Sequence, residues 1–307
     1  MSAGVGSGMR GTLRRLGRVL ELAEAVLLRI AGGPTDPGIF ALHPAFRWES
    51  SHDGRHGRLL PIPKPHTFDL DELVGVEQSV ARLLGNTEQF VRGLPSNHVL
   101  LFGERGTGKS SAVKGLLPRF AARGLRLVEV HKEDLLHLPE VLDALRGAET
   151  FRFLLFCDDL SFDAGESAYR ELKAALEGSL EAPPANVRII ATSNRRHLLP
   201  ERVEDNWAAR LDDAGELHMG EAVDEKLALS DRFGLVLGFY GFSQATYLQI
   251  VERYAAKAGI DAPPERLRAE ALRFALERSS RSGRTARQFV DDFAGRSILE
   301  RERSAAR

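Results

Sequence analysis

The sequence predicts an α/β fold: a parallel five-stranded sheet flanked by helices, preceded by an N-terminal helical region and followed by a small all-helical lid. Three observations predict it. Short, β-rich apolar runs recur at 98–102, 125–130, 151–156, 187–192 and 234–239, with helical patterns between them, as in a sheet covered on both faces. A glycine-rich G-x-x-x-x-G-K-S pattern follows the first run and precedes a helical pattern. After Phe242 the apolar runs stop and helical patterns take over. The expected division is therefore 1–66, a helical region closed by a Pro-rich linker; 67–242, the α/β core; and 243–307, the lid.

Taken in order, the N-terminal stretch carries Leu16, Val19, Leu20, Leu22, Ala23, Val26, Leu27 and Ile30, the broad apolar stripe of an amphipathic helix. Glu21, Glu24 and Arg29 interrupt it, which excludes a secretory leader, and it is too short to span a bilayer. No membrane insertion is expected. "LPIPKPH" alternates prolines and favours an extended linker. In "ESAYRELKAALEGSL", Tyr169, Leu172, Leu176 and Leu180 share one helical face. In the lid, Ser243 is the expected N-cap of a helix with Tyr247, Ile250, Val251 and Tyr254 on one stripe.

Composition narrows the class. A formal charge of −1 over 307 residues carries no global nucleic-acid signal, although "MRGTLRRLGR" and "ERSSRSGRTAR" are locally Arg-rich. The single cysteine excludes an internal disulfide or a thiolate metal cage and suits a reducing cytoplasm.

The chemistry-bearing residues cluster at strand ends. In "HVLLFGERGTGKSSAVKGLL" the glycines let successive N–H groups turn inward toward phosphate oxygens, and the helix start adds a field that favours anions. Lys109 is expected to reach the β- and γ-phosphates of ATP, and the Ser110 hydroxyl to ligate Mg²⁺. "FRFLLFCDDL" ends an apolar run in adjacent carboxylates: Asp158 for the Mg²⁺ hydration shell, and Asp159 either to deprotonate a water or to cap the helix that follows. Cys157 reads as a buried apolar residue. The next run ends in Thr192, Ser193 and Asn194, and the Asn194 amide suits a water held between Asp159 and the γ-phosphate.

Together these motifs, in this order over roughly 67–300, resemble the AAA+ superfamily of oligomeric P-loop ATPases, and look closest to a bacterial family catalogued as a domain of unknown function. "FDLDELVGVEQSVARLL" resembles the segment that cradles adenine, around Val74 and Gly75. "GERGTGKS" is similar to Walker A, which implies nucleotide contacts from Gly103, Glu104, Arg105, Gly106, Thr107, Gly108, Lys109 and Ser110, with Ser111 beside them. "FLLFCDD" resembles Walker B and Asn194 sensor 1. "LSDRFGL" resembles the arginine-finger segment, implying that Arg232 reaches nucleotide in an adjacent subunit. "SGRTARQF" resembles sensor 2, with Arg284 the first candidate and Arg287 the second.

The resemblance implies an ATP phosphohydrolase that works with Mg²⁺ as a homo-oligomeric ring or chain, remodelling or switching an unknown macromolecular client. Asp158-Asp159 replaces the commoner Asp-Glu, as in helicase loaders, so DNA is the alternative partner. A third reading is an interaction module that hydrolyses slowly. "HKEDLLHLPEVLDAL" lacks the aromatic pore loop of protein-threading members, and the charged stretch between Asn194 and Arg232 is a candidate partner-contacting loop.

Overall fold

A computed structural model describes residues 37–51, 56–162, 166–178, 182–195, 198, 210–211, 217–218 and 230–305. The amphipathic stretch at 16–30, Leu180 and most of the charged segment between Asn194 and Arg232 lie outside the described residues.

The five apolar runs form strands β3 (Val99–Gly103), β4 (Leu125–Glu129), β5 (Arg152–Cys157), β6 (Val187–Ser193) and β9 (Leu235–Phe239). Side chains alternate along a strand, so an apolar run with both parities filled must be covered twice. In β5, Phe153, Leu155 and Cys157 enter one core with Leu138, Val141 and Leu145 of α4 (Leu138–Arg146) and Tyr169, Leu172 and Leu176 of α5 (Ser167–Glu177). Leu154 and Phe156 enter the opposite core with α2 (Glu77–Val91) and α3 (Lys109–Phe120), through Leu83, Phe90, Val113 and Leu117.

The sheet has seven strands where the sequence reading expected five. Its order is β2-β1-β4-β5-β6-β3-β9. The added pair is β1 (Ala45–Ser50), parallel to β4, and β2 (Gly57–Pro61), antiparallel to β1. Both come from the stretch counted from the sequence with the N-terminal region. Phe46 and Trp48 point inward while Arg47 points to solvent, the period of a half-buried strand. A short helix α1 (Ile39–Leu42) precedes them, and buried Arg126 of β4 donates to the Phe40 carbonyl at 2.5 Å while lying 4.5 Å from the Phe151 ring centroid. Pro61 ends β2 on the outer edge, where the missing N–H costs no ladder bond. A two-strand ribbon, β7 (Arg210–Leu211) with β8 (Leu217–His218), stands apart from this sheet.

The lid packs α6 (Gln244–Lys257), α7 (Pro264–Glu277) and α8 (Gly283–Ala305) about Tyr247, Ile250, Val251, Leu267, Phe289 and Phe293. Ser243 accepts from the Thr246 N–H and caps α6, and Ser282 accepts from the Thr285 N–H, both at 3.1 Å. Arg253 donates to the Asp71 carbonyl at 2.5 Å and Lys257 pairs with Glu72, so α6 is moored to the short 3₁₀ turn at Leu70–Glu72. Because β3 lies between β6 and β9 while the chain continues to the distant β4, a crevice opens at the carboxyl ends of these strands. The glycine-rich loop after β3 lies at its mouth, and the core is an α/β fold built on a mostly parallel sheet flanked by helices.

Candidate nucleotide site

The loop between β3 and α3 is shaped by three glycines with positive φ: Gly103 at 138°, Gly106 at 75° and Gly108 at 101°. None of the three has room for a side chain, with Leu73 standing 2.7 Å from a Cβ on Gly108. A Cβ on Gly103 would lie 1.8 Å from the Phe239 carbonyl oxygen, and one on Gly106 would meet Ser282 of the lid at 2.8 Å. The curl brings Lys109 back over its own loop. Its ammonium donates to the Gly103 and Glu104 carbonyls, each at 2.7 Å, and to Asn194 Oδ1 at 3.2 Å. Burial lowers the Lys109 pKa; the carboxylates of Asp159 and Asp158 oppose the shift, and Arg105 and Arg284 reinforce it. Three cations thus face one another across the loop, a field that a bound polyphosphate would relieve.

The carboxylates stand opposite. Asp158 Oδ1 accepts from Ser110 Oγ at 2.6 Å and from Thr192 Oγ1 at 2.5 Å. Asp159 is one of two described non-glycine residues with positive φ, at 52°, and its Oδ1 accepts from Asn194 Nδ2. It does not cap α5, which starts at Ser167, so the capping alternative falls away. Cys157 is fully buried and its thiol is pushed up to about 12, chiefly by burial, so it stays out of the chemistry.

A cleft of about 970 Å³ runs from this floor to the lid. Of the residues singled out from the sequence, Val74, Arg105 to Ser111, Asp159, Asn194, Arg284 and Arg287 line it. Gly75, Gly103, Glu104, Asp158 and Arg232 do not. Gly103, Glu104 and Asp158 nevertheless bond to lining residues, whereas Gly75, with φ 80°, donates its N–H to Glu77 at 2.8 Å and packs toward Thr246 of the lid. Arg232 pairs with Glu177 at the end of α5, outside the cleft.

The two lid arginines separate. Arg284 stands against the loop: its Cβ would lie 3.3 Å from a Cβ on Gly106, and the adjacent Gly283 N–H donates to the Gly106 carbonyl at 2.9 Å. Arg287 pairs with Asp291 on its own helix and lies 5.6 Å from the Tyr254 ring centroid, at the apolar end of the cleft. That end, formed by Leu73, Val74, Phe242, Ile250 and Tyr254, is only partly legible in the sequence. Tyr254 and Ile250 read there as lid core, and they are that too. Thr192, which also lines the cleft, was assigned no role from the sequence, because a threonine near the end of a buried strand gives no local signal.

The arrangement suits a nucleoside polyphosphate and a hard divalent cation. Ser110 and Asp158 offer adjacent oxygen donors of the kind Mg²⁺ takes, and a loop turned by positive-φ glycines can present successive backbone N–H groups to an anion. Among the described residues no group of histidine, cysteine and carboxylate forms a separate metal site, and no helix is long and apolar enough to cross a membrane.

Residues 41–297 match the family described as "Protein of unknown function (DUF815)". Among solved structures, the chain is similar to RuvB of Thermotoga maritima. One point mutant of RuvB shares 18% identity at a TM-score of 0.48, covering 73% of this chain and 63% of that one. RuvB described as a Holliday junction branch migration motor shares 19% at a TM-score of 0.46, with the same coverage. The chain thus spans less than two thirds of the length of these RuvB chains.

Proposed function

Since this chain belongs to the DUF815 family, whose description states no activity, we propose from its own cleft that it binds ATP with Mg²⁺ and hydrolyses it. We propose further that it does so as a homo-oligomer, coupling turnover to the remodelling or switching of a macromolecular partner. The observation that carries the reading is the Asp159–Asn194 hydrogen bond at the floor of the cleft that Lys109 and Ser110 line.

The apolar end between Val74 and Tyr254 receives the base, and the glycine loop the phosphates. Lys109 and Arg284 neutralise charge on the terminal phosphates, which is where electrostatic stabilisation matters most in phosphoryl transfer. Ser110 and Asp158 would hold Mg²⁺, which supplies charge neutralisation of the β- and γ-phosphates. Asn194 orients and Asp159 deprotonates the attacking water, the proton passing to the Asp159 carboxylate. Arg232, outside its own cleft, would serve a neighbour's by exchanging its pairing with Glu177 for the nucleotide bound there.

Asp159→Asn tests the base. Hydrolysis is expected to fall roughly 10²–10⁴-fold, the usual worth of a positioned base, while ATP affinity survives. Turnover at the wild-type rate in that variant would refute the assignment.

A further inference from the structure

The shorter carboxylate at position 159 is held in an unusual backbone conformation, and the neighbouring strand holds it there. Left-handed φ is disfavoured for L-residues other than glycine, with asparagine and aspartate the usual exceptions. At φ 52°, Asp159 is therefore a residue type that this turn accepts more readily than glutamate. The turn is clamped by the end of β6. Thr192 Oγ1 donates to Asp158 Oδ1 at 2.5 Å and accepts from the Asp159 N–H at 2.8 Å. The Thr192 carbonyl accepts from the Leu160 N–H at 2.7 Å. Ser193 Oγ, fully buried, donates to the Leu160 carbonyl at 2.8 Å.

A buried strand threonine needing only to satisfy itself would bond a nearby backbone carbonyl. This hydroxyl instead spans two consecutive acidic residues: one it orients through the side chain, the other through the main chain. Its residue is 1% exposed, although both acidic residues that it bonds are exposed. We propose that Thr192 is a positioning residue for the Asp158-Asp159 pair: its hydroxyl fixes the left-handed turn that aims the Asp159 carboxylate at Asn194 and turns Asp158 toward Ser110. The inference rests on the proposed ATP hydrolysis for its catalytic consequence, and on the nucleotide-free geometry for its structural one.

Thr192→Val keeps the shape and deletes the hydroxyl; Thr192→Ser keeps the hydroxyl; Thr192→Ala serves where the valine variant does not fold. Amide hydrogen exchange is measured on nucleotide-free protein, alongside affinity for a fluorescent ATP analogue in EDTA and the kinetic constants with Mg²⁺. In Thr192→Val, exchange is expected to quicken in the peptide covering 158–160, with EDTA affinity kept within about twofold. kcat should fall about 10²-fold at little change in KM, as for an ~1 Å misplacement of a catalytic group. Thr192→Ser should recover most of that loss. Unchanged exchange at 158–160, wild-type kcat in Thr192→Val, or a serine variant as impaired as valine would each overturn the proposal. If the wild type itself turns over no ATP, the hydrolysis reading fails, and the exchange result alone then decides whether Thr192 holds the turn.

Discussion

Arg232→Ala separates a residue that holds the chain together from one that acts on a neighbour. In the isolated chain Arg232 is about three-quarters buried and pairs with Glu177, itself 43% exposed. A partly exposed pair of this kind contributes about 0.2–1 kcal/mol, so the melting temperature should move by only a few degrees. If the guanidinium instead completes an adjacent site, its loss should cost about 10³–10⁵-fold in kcat, the range for arginine fingers, with ATP affinity largely kept. The two effects differ by several kcal/mol and cannot be confused.

Mixing decides whether the action is in trans. Asp159→Asn subunits lack the base but keep the arginine; Arg232→Ala subunits lack the arginine but keep the base. In an equimolar mixture with head-to-tail interfaces, about a quarter would join an intact base to an intact arginine. ATPase activity should then reappear at roughly that fraction of wild type, from two preparations that are inactive alone. Assembly is followed by sedimentation. A silent mixture in which the subunits co-assemble, or an Arg232→Ala protein that turns over normally, would refute the assignment.

Two other perturbations have consequences set by the fold. Partly buried His98 accepts the Ile189 N–H on Nδ1 at 2.9 Å, a bond open only to the neutral ring, and burial lowers its pKa to about 4, with Arg188 adding to the shift. Between pH 6.5 and about 4 the unfolded chain therefore binds a proton that the folded chain does not, so stability falls as pH falls across that window. The loss amounts to at most roughly 3 kcal/mol, and urea titrations of the wild type and His98→Asn should diverge by that much toward pH 4; parallel curves would contradict it. Gly103→Ala places a methyl 1.8 Å from the Phe239 carbonyl oxygen at φ 138°, and should destabilise by about 3 kcal/mol or more, read as a lower urea midpoint or insoluble expression. A soluble Gly103→Ala protein with the wild-type midpoint would show that the contact relaxes freely.

Residues close along the chain were legible. The glycine loop, Lys109 and Ser110 lie within eight consecutive positions, and their chemistry needs only the strand before and the helix after. The lid helices declared themselves by Ser243 and by the stripe of Tyr247, Ile250, Val251 and Tyr254, all of them buried. Strands β1 and β2 were not legible, because Ala45, Phe46 and Arg47 join the sheet by pairing with β4, some eighty residues on, and no local spacing announces that partner. Thr192 was hidden for a similar reason: its hydroxyl matters only because β6 ends beside β5, 33 residues earlier at Asp159.

The α/β core with its glycine-rich loop, the carboxylates at the end of β5 and the helical lid could be read from the chain alone, since each is written in a contiguous run of residues. The seven-strand sheet, the left-handed turn at Asp159 and the place of Arg284 beside the loop arise from contacts in the folded chain. Each of these depends on groups distant in sequence meeting in space: Phe46 against β4, Thr192 against Asp159, and Gly106 against Ser282. Such meetings are set by packing and hydrogen-bond satisfaction across the whole core, which no window of the chain contains.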